Sequence, residues 1–337
     1  MNGQAMMDQH LQSYPLIEAY RRRLHIETTQ ELPPTLESLQ LLTELHLKHI
    51  PFENLSLHVT GEIEPAIVLS RAEIMHKVFH KGRGGCCLEL NGLFSFLLQD
   101  LQFSEVSLVP CYVHAGKERG HRNKRARFRA VASHFMILVG VGTDQYFVDV
   151  GLGEPALSPL RYSWDSLGTE QTTAEGMKSR IIPDPQGSWT DKNGTTRRCY
   201  ILEWWVEEEV TGYWEPRLQW DESDAPLSRG GEDRSQYSLQ HFQYVIPILM
   251  SPKSSFYRKN ISCLLTRTTK VSLSGRRLRL TSPRFGPSQT QSAQDLESDE
   301  AVRVVLKEQF GIELQTNEHL DLSKATRMVD VRLWDHL

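Results

Sequence analysis

The chain has 337 residues, 39% of them hydrophobic and 24% charged. That length buries a sizeable core in one large unit or two to three smaller ones, and the composition excludes a collagen-like or mostly disordered chain. Thirty-eight Lys and Arg against 42 Asp and Glu leave a net charge of −4, which argues against a general nucleic-acid binder.

In chain order, residues from about 15 to 102 read as helical. The opening MNGQAMMDQH lacks a basic patch followed by an apolar run, so no signal peptide is expected. Leu36, Leu39, Leu42 and Leu45 recur at helix spacing behind Thr35, and Pro51 ends that helix. His46 and His49 read as a solvated helix face rather than a metal pair. Ile74, Val78 and Phe79 predict a short second helix, and Leu88 to Leu101 a third. From about 106 the texture turns to strands: 107–116, 133–141 and 145–153, the last two joined by a Gly142-Thr143-Asp144 turn. Residues 199–207 and 213–219 read as further strands, and the polar stretch 165–198 as a long loop or insertion. Residues 271–280 alternate as one strand, and 283–298 read as polar and mobile. Ser298 opens a final helix that Gly311 caps. No window reaches 18 uncharged apolar residues, so no membrane span is expected.

Five cysteines make no disulfide framework, and a reducing, cytoplasmic setting is expected. Two of them, Cys86 and Cys87, follow Arg83-Gly84-Gly85 and open an apolar helix. A thiol at a helix N-terminus faces backbone N–H groups and the positive end of the macrodipole, which favour thiolate. Arg83 adds a positive charge, and nearby N–H groups suit an oxyanion. The plainer alternative is a turn with two small buried cysteines. A cysteine nucleophile is usually paired with a base and an orienting group. His134 opens an apolar strand, and Asp149 lies within the returning apolar run, close to His134 but slightly offset in register. An Asp accepting a hydrogen bond from His134 fixes its tautomer and supports an imidazolium beside a thiolate.

Together these segments resemble the arylamine N-acetyltransferase family. Arg83-Gly-Gly-Cys-Cys87 with Asn91 is similar to its Arg-Gly-Gly-x-Cys-x-x-x-Asn motif. Pro51-Phe-Glu-Asn-Leu55, Ser133-His-Phe135, Val148-Asp-Val-Gly-Leu-Gly153 and Ser251-Pro-Lys-Ser-Ser-Phe256 match further segments in order along nearly the whole chain. The resemblance implies an α+β fold in a cysteine-protease-like (papain or transglutaminase-type) arrangement. Its parts are a helical domain over 1–103 with the cysteine, a β-barrel domain over 104–228 with His and Asp, and an α/β lid with the C-terminal tail over 229–337. It implies ping-pong transfer of acetyl from acetyl-CoA to an arylamine, arylhydrazine or N-hydroxyarylamine, with Cys87 as nucleophile, His134 as base and Asp149 as orienting residue. CoA contacts are implied at Ala130, Val131 and Lys253. Leu152 and Glu154 stand where other members carry a larger aromatic or a basic residue lining the acceptor pocket. Cys86 fills a variable position and is assigned to packing, with redox sensitivity as the alternative. Seven Lys or Arg fall within residues 117–129, either a solvated loop or a docking surface for CoA phosphates. No metal, nucleic-acid or membrane partner is expected, and the chain is expected to be a monomer. A cysteine hydrolase or transglutaminase-like enzyme with the same triad, and a silent binding relative, stay open as alternatives.

Overall fold

The structure is a computed structural model that describes residues 16–60, 67–114, 128–129, 131–185, 187, 189–190, 196–207, 211–227, 237–252, 254–282 and 290–322. Helix α1 spans Leu16–Leu24 and α2 spans Leu36–His49. The Thr35 side chain accepts from Ser38 N at 3.3 Å to start α2, and Ile50 before Pro51 stops it in extended conformation. Strand β1 (Phe52–Glu53), a 3-10 turn (Leu55–Leu57) and β2 (Val59–Thr60) follow. Helix α3 (Arg71–Met75) winds on into a π turn at His76–His80. Helix α4 (Cys87–Asp100) crosses the middle of the core, with Leu88, Leu90, Leu93, Phe94, Leu97 and Leu98 all fully buried. A helix apolar on nearly every side belongs inside the molecule.

The strands expected from about 106 onward form one eight-stranded, nearly closed sheet. In chain order they are β3 (Ser104–Val113), β4 (His134–Val141), β5 (Asp144–Val148), β6 (Leu160–Arg161), β7 (Gln171–Thr172) and β8 (Lys178–Pro183). A side ribbon pairs β9 (Trp189–Thr190) with β10 (Thr196–Arg197), and the sheet resumes with β11 (Cys199–Val206) and β12 (Tyr213–Asp221). The spatial order is β6-β5-β4-β3-β12-β11-β8-β7. The Gln171 side chain bridges the two edge strands: it accepts from Arg161 N at 2.7 Å and donates to Arg161 O at 2.9 Å. Trp220, Tyr162, Tyr200 and Phe147 fill the interior.

A second sheet has the order β1-β13-β14-β15-β16, with β13 at Ile261–Leu265, β14 at Lys270–Ser274, β15 at Arg277–Ser282 and β16 at Thr290–Asp295. Two short helices, α5 (Val245–Leu249) and α6 (Ser255–Arg258), lead into it. Helix α7 (Asp299–Phe310) covers one face, capped by Ser298 and by Gly311 at φ +66°. Strand β17 (His319–Leu320) pairs with β2.

Four readings of the sequence change. The expected loop 165–198 contains β7 and β8; Ser179 and Ile181 point inward while Lys178 and Arg180 face out, so charge disguised the alternation. The expected single strand 271–280 is a hairpin that turns at Gly275, whose φ is +62°. Within 283–298, Thr290–Asp295 pairs along β15 as an exposed edge strand. His46 is fully buried rather than solvated; burial, then the nearby Arg23, push its imidazole down to about 3.

Candidate active site

Cys87 is the first residue of α4 and Cys86 its N-cap. The backbone leading into them is held from three directions. Gly85 N donates to Pro51 O at 3.3 Å, and Glu53 N donates to Gly85 O at 2.9 Å, so β1 grips the glycine loop. A Cβ at Gly84 would lie 1.8 Å from Pro51 O, so only glycine fits there. Cys86 N donates to Glu89 Oε2 at 2.9 Å, the return half of a capping box.

Under this loop lies a buried ion network. Lys77 Nζ donates to both oxygens of Glu89 at 2.9 and 3.0 Å and stands 3.9 Å from Glu53. Arg83 donates to Glu53 at 3.1 and 3.3 Å. Burial opposes the Glu53 carboxylate, but Arg83 and Lys77 hold its carboxyl down to about 2. The guanidinium expected to assist the thiolate is therefore neutralised by Glu53. Arg83 is a structural cation, a correction to the sequence reading.

Strand β4 begins at His134, two per cent exposed, and pairs with β5 so that Ile137 faces Val148. Beyond Val148 the chain leaves the sheet. Asp149 is thus not in the returning strand, as expected, but in the first loop position after it. This departure makes the contact: His134 Nε2 donates to Asp149 Oδ2 at 2.7 Å. With Nε2 engaged by Asp149, Nδ1 is the ring nitrogen left to serve the Cys87 sulfur, and the neighbouring imidazole favours the thiolate.

Asn91, one turn along α4 from Cys87, fastens these pieces together. Its Nδ2 donates to Phe135 O at 2.7 Å and to Asp149 Oδ1 at 3.0 Å, while its Oδ1 accepts from Val150 N at 2.8 Å. Gly151 N supplies Asp149 Oδ1 with another donor at 2.8 Å. A Cβ at Gly151 would stand 2.7 Å from Cys87 Cα, so the loop can lie against α4 only as glycine.

The electrostatics follow from these contacts. A hydrogen bond from the Cys86 thiol, opposed by burial and aided by His134, lowers Cys87 to about 6. Burial works against a charged His134, but Asp149 and Cys87 outweigh it and raise the imidazole to about 10. Cys86 itself is pushed well above the usual thiol range by the same hydrogen bond and by burial. Between these limits the pair rests as thiolate and imidazolium, the state a nucleophilic cysteine needs.

Of the expected CoA contacts, Val131 is exposed at the approach to His134, while Ala130 and Lys253 lie outside the described residues, as does most of the basic run 117–129. Tyr244 Oη donates to Ala132 O at 2.8 Å and pins the segment that enters β4, a tether no motif announced. Leu152 borders a cavity of about 20 Å³ with Phe147, Ala156 and Trp204, enough for one water but not for an aromatic ring. Glu154 forms an ion pair with Lys270 of β14. Among the described residues, no three His, Cys, Asp or Glu side chains converge as a metal site, and no helix is long and apolar enough to cross a membrane.

A cysteine at the start of a core helix, facing a His that opens a strand and an Asp in the loop just after its partner strand, fits the α+β, cysteine-protease-like class of fold. The chain belongs to the N-acetyltransferase family, whose model matches residues 35–319. It is 27% identical to the arylamine N-acetyltransferase pineal gland isozyme NAT-10 of Gallus gallus, over 83% of this chain and 88% of that one. Among solved structures, the arylamine N-acetyltransferase of Salmonella typhimurium superposes with a TM-score of 0.65 at 24% identity, covering 89% of this chain and 92% of its own. The Mycobacterium marinum arylamine N-acetyltransferase in complex with CoA gives 0.64 at 22%, covering 88% and 92%.

Proposed function

We propose that this chain transfers an acetyl group from acetyl-CoA to arylamines, arylhydrazines or N-hydroxyarylamines through a thioester on Cys87. The observation that carries the reading is the grouping of Cys87, at the start of α4, with a His134 that is hydrogen-bonded to Asp149 and favours the Cys87 thiolate. The Cys87 thiolate attacks the thioester carbonyl carbon, and the carbon–sulfur bond to CoA breaks. The departing CoA sulfur takes the proton from the His134 imidazolium. An aromatic amine, largely neutral near pH 7, then attacks acetyl-Cys87. Neutral His134 takes the amine's proton, Cys87 leaves as thiolate, and the ion pair is restored. Asp149 keeps the ring in place and supports its charge throughout.

In this reading Ala130, Val131 and Lys253 contact CoA, and the enzyme is a cytoplasmic monomer that needs no metal. Names of relatives support the reaction class, and the CoA complex of a relative supports the donor. The test is intact-protein mass spectrometry after brief mixing with acetyl-CoA, then peptide mapping. A single acetyl adduct on Cys87, discharged by an added arylamine and absent from Cys87→Ser, is expected. An unlabelled Cys87 in reduced, folded protein overturns the reading, and discharge by water alone at the same rate would favour a thiol hydrolase.

A further inference from the structure

The helix that carries the nucleophile begins with a conflict of charge. Glu89, three per cent exposed, accepts from Cys86 N at 2.9 Å and so starts α4. A carboxylate there is drawn to the same positive helix end that favours a Cys87 thiolate. Cys86 and Cys87 are adjacent, so covalent geometry keeps this carboxylate within roughly 10 Å of the Cys87 sulfur. At that range one uncompensated charge, in an interior with an effective dielectric of about 20, shifts an ionisation by about one unit. A charged cap thus works against the chemistry that the helix serves.

Lys77 meets that charge. It stands in the π turn at His76–His80, and its backbone O accepts from Arg83 N at 3.1 Å, which folds the turn back under the glycine loop. From there its ammonium reaches both oxygens of Glu89, at 2.9 and 3.0 Å. The other carboxylate of the network, Glu53, is already matched by Arg83 at 3.1 and 3.3 Å. Two cations and two carboxylates therefore cancel, and geometry assigns Lys77 to Glu89. Burial opposes the Lys77 ammonium, but Glu89 and Glu53 outweigh it and raise it, so it stays charged through the neutral range. Cys86, pushed up first by hydrogen bonding with Cys87 and then by burial, is raised further by Glu89 and lowered by Lys77. The two charges act on this end of α4 with opposite sign.

We propose that Lys77 is a positioning residue for acyl transfer: acting through Glu89, it cancels the charge of the carboxylate that caps α4 and so keeps the Cys87 thiolate favoured. The other charged groups acting on Cys87 are His134 at the start of β4, Asp149 in the loop after β5 and the Arg129 guanidinium in the segment before β4. Substitutions at Lys77 and Glu89 leave all three in place, so they isolate one pair of charges. The role rests on the reading of Cys87 as the nucleophile, but its test does not use acyl transfer.

The measurement is the pH midpoint of iodoacetamide labelling in the reduced, full-length protein, with tandem mass spectrometry to separate Cys87 from Cys86. Lys77→Met should raise the Cys87 midpoint by about one unit, a tenfold loss of thiolate at any pH well below it. Glu89→Gln, whose amide oxygen still accepts from Cys86 N, should leave Lys77 unopposed and lower the midpoint. The double variant Lys77→Met/Glu89→Gln should return it close to the wild-type value. Loss of packing or of the cap would move all three variants the same way, so opposite signs with recovery in the double variant are the mark of charge. The proposal is overturned if folded Lys77→Met keeps the wild-type midpoint, if Glu89→Gln moves it upward, or if the double variant stays as far displaced as Lys77→Met. Glu89→Gln decides the matter alone if Lys77→Met fails to fold. A wild-type midpoint near that of a free thiol would overturn the ion pair of the acyl-transfer reading, and the order of the three variants would still decide the role of Lys77.

Discussion

Asn91→Ala is the most informative single substitution in the candidate site. The side chain is fully buried, and its amide joins α4, β4 and the loop after β5. Truncation leaves two buried backbone groups, Phe135 O and Val150 N, without this partner. An unsatisfied buried group costs about 1–3 kcal/mol, so two cost about 2–6 kcal/mol. A water entering the vacated space would bring the loss toward about 3 kcal/mol. Asp149 keeps Gly151 N and His134 Nε2 as donors, so the ion pair survives in a looser setting. Denaturant unfolding should show a lowered midpoint with an unchanged slope. Turnover should fall by roughly 10- to 100-fold with little change in KM for acetyl-CoA, the signature of misplaced rather than missing groups. A loss below about 1 kcal/mol with unchanged turnover would refute the idea that this amide assembles the site.

Four further outcomes are expected. Iodoacetamide labelling of Cys87 should climb as pH rises through about 6 and then stay level toward about 10, and a midpoint near that of a free thiol would contradict the ion pair. The pair should leave stability level with pH only between the ordinary imidazole and thiol values, a narrower window than the labelling plateau. The raised His134 contributes fully below the ordinary imidazole value and loses its contribution as pH rises through about 10. The lowered Cys87 contributes above the ordinary thiol value and loses its contribution as pH falls through about 6. Between those ordinary values the folded and unfolded pairs each hold one proton, so a urea series there should show no slope from this pair. Asp149→Asn should fold yet lose most activity, roughly 10⁴-fold if the serine-protease precedent carries over, and full activity would sink its orienting role. Lys77→Met should cost about 3–5 kcal/mol by leaving Glu89 without its cation, and an unchanged melting temperature would show the network to be dispensable.

Much of the site was legible because its residues sit where local rules are strong. Cys87 follows two glycines and precedes an apolar helix, and His134 opens a strand whose partner is set by a short turn. Thr35, Ser298 and Gly311 marked helix ends for the same reason. What escaped was decided by tertiary contact. Asp149 reads as a strand residue by composition, yet the sheet stops one residue earlier, and that break brings the carboxylate to the ring. Arg83 looked like help for the thiolate until Glu53, thirty residues away, was seen to neutralise it. Asn91 stood in a motif without a role; its spacing of four from Cys87 put it on the same helix face, but its partners lie on two other elements. Strand β8 hid because Arg180 spends its charge outside the barrel, over the Trp214 ring at 4.2 Å and against Glu203.

The grip of β1 on the glycine loop bears on how the chain may be cut. β1 is a strand of the second sheet, paired with β13, and it also holds Gly85 on its other side. Asn54 adds a clasp by donating to Phe256 O and Lys259 O, both at 2.8 Å, and accepting from Ile261 N at 2.6 Å. The ground beneath the nucleophile is thus shared with residues some two hundred positions downstream. A fragment ending at the barrel would carry Cys87, His134 and Asp149 and still lack the anchorage that presents the sulfur. Proteolytic nicking after the barrel should therefore silence the thiol before it unfolds the remainder, and a separately supplied C-terminal piece should restore it by strand pairing alone.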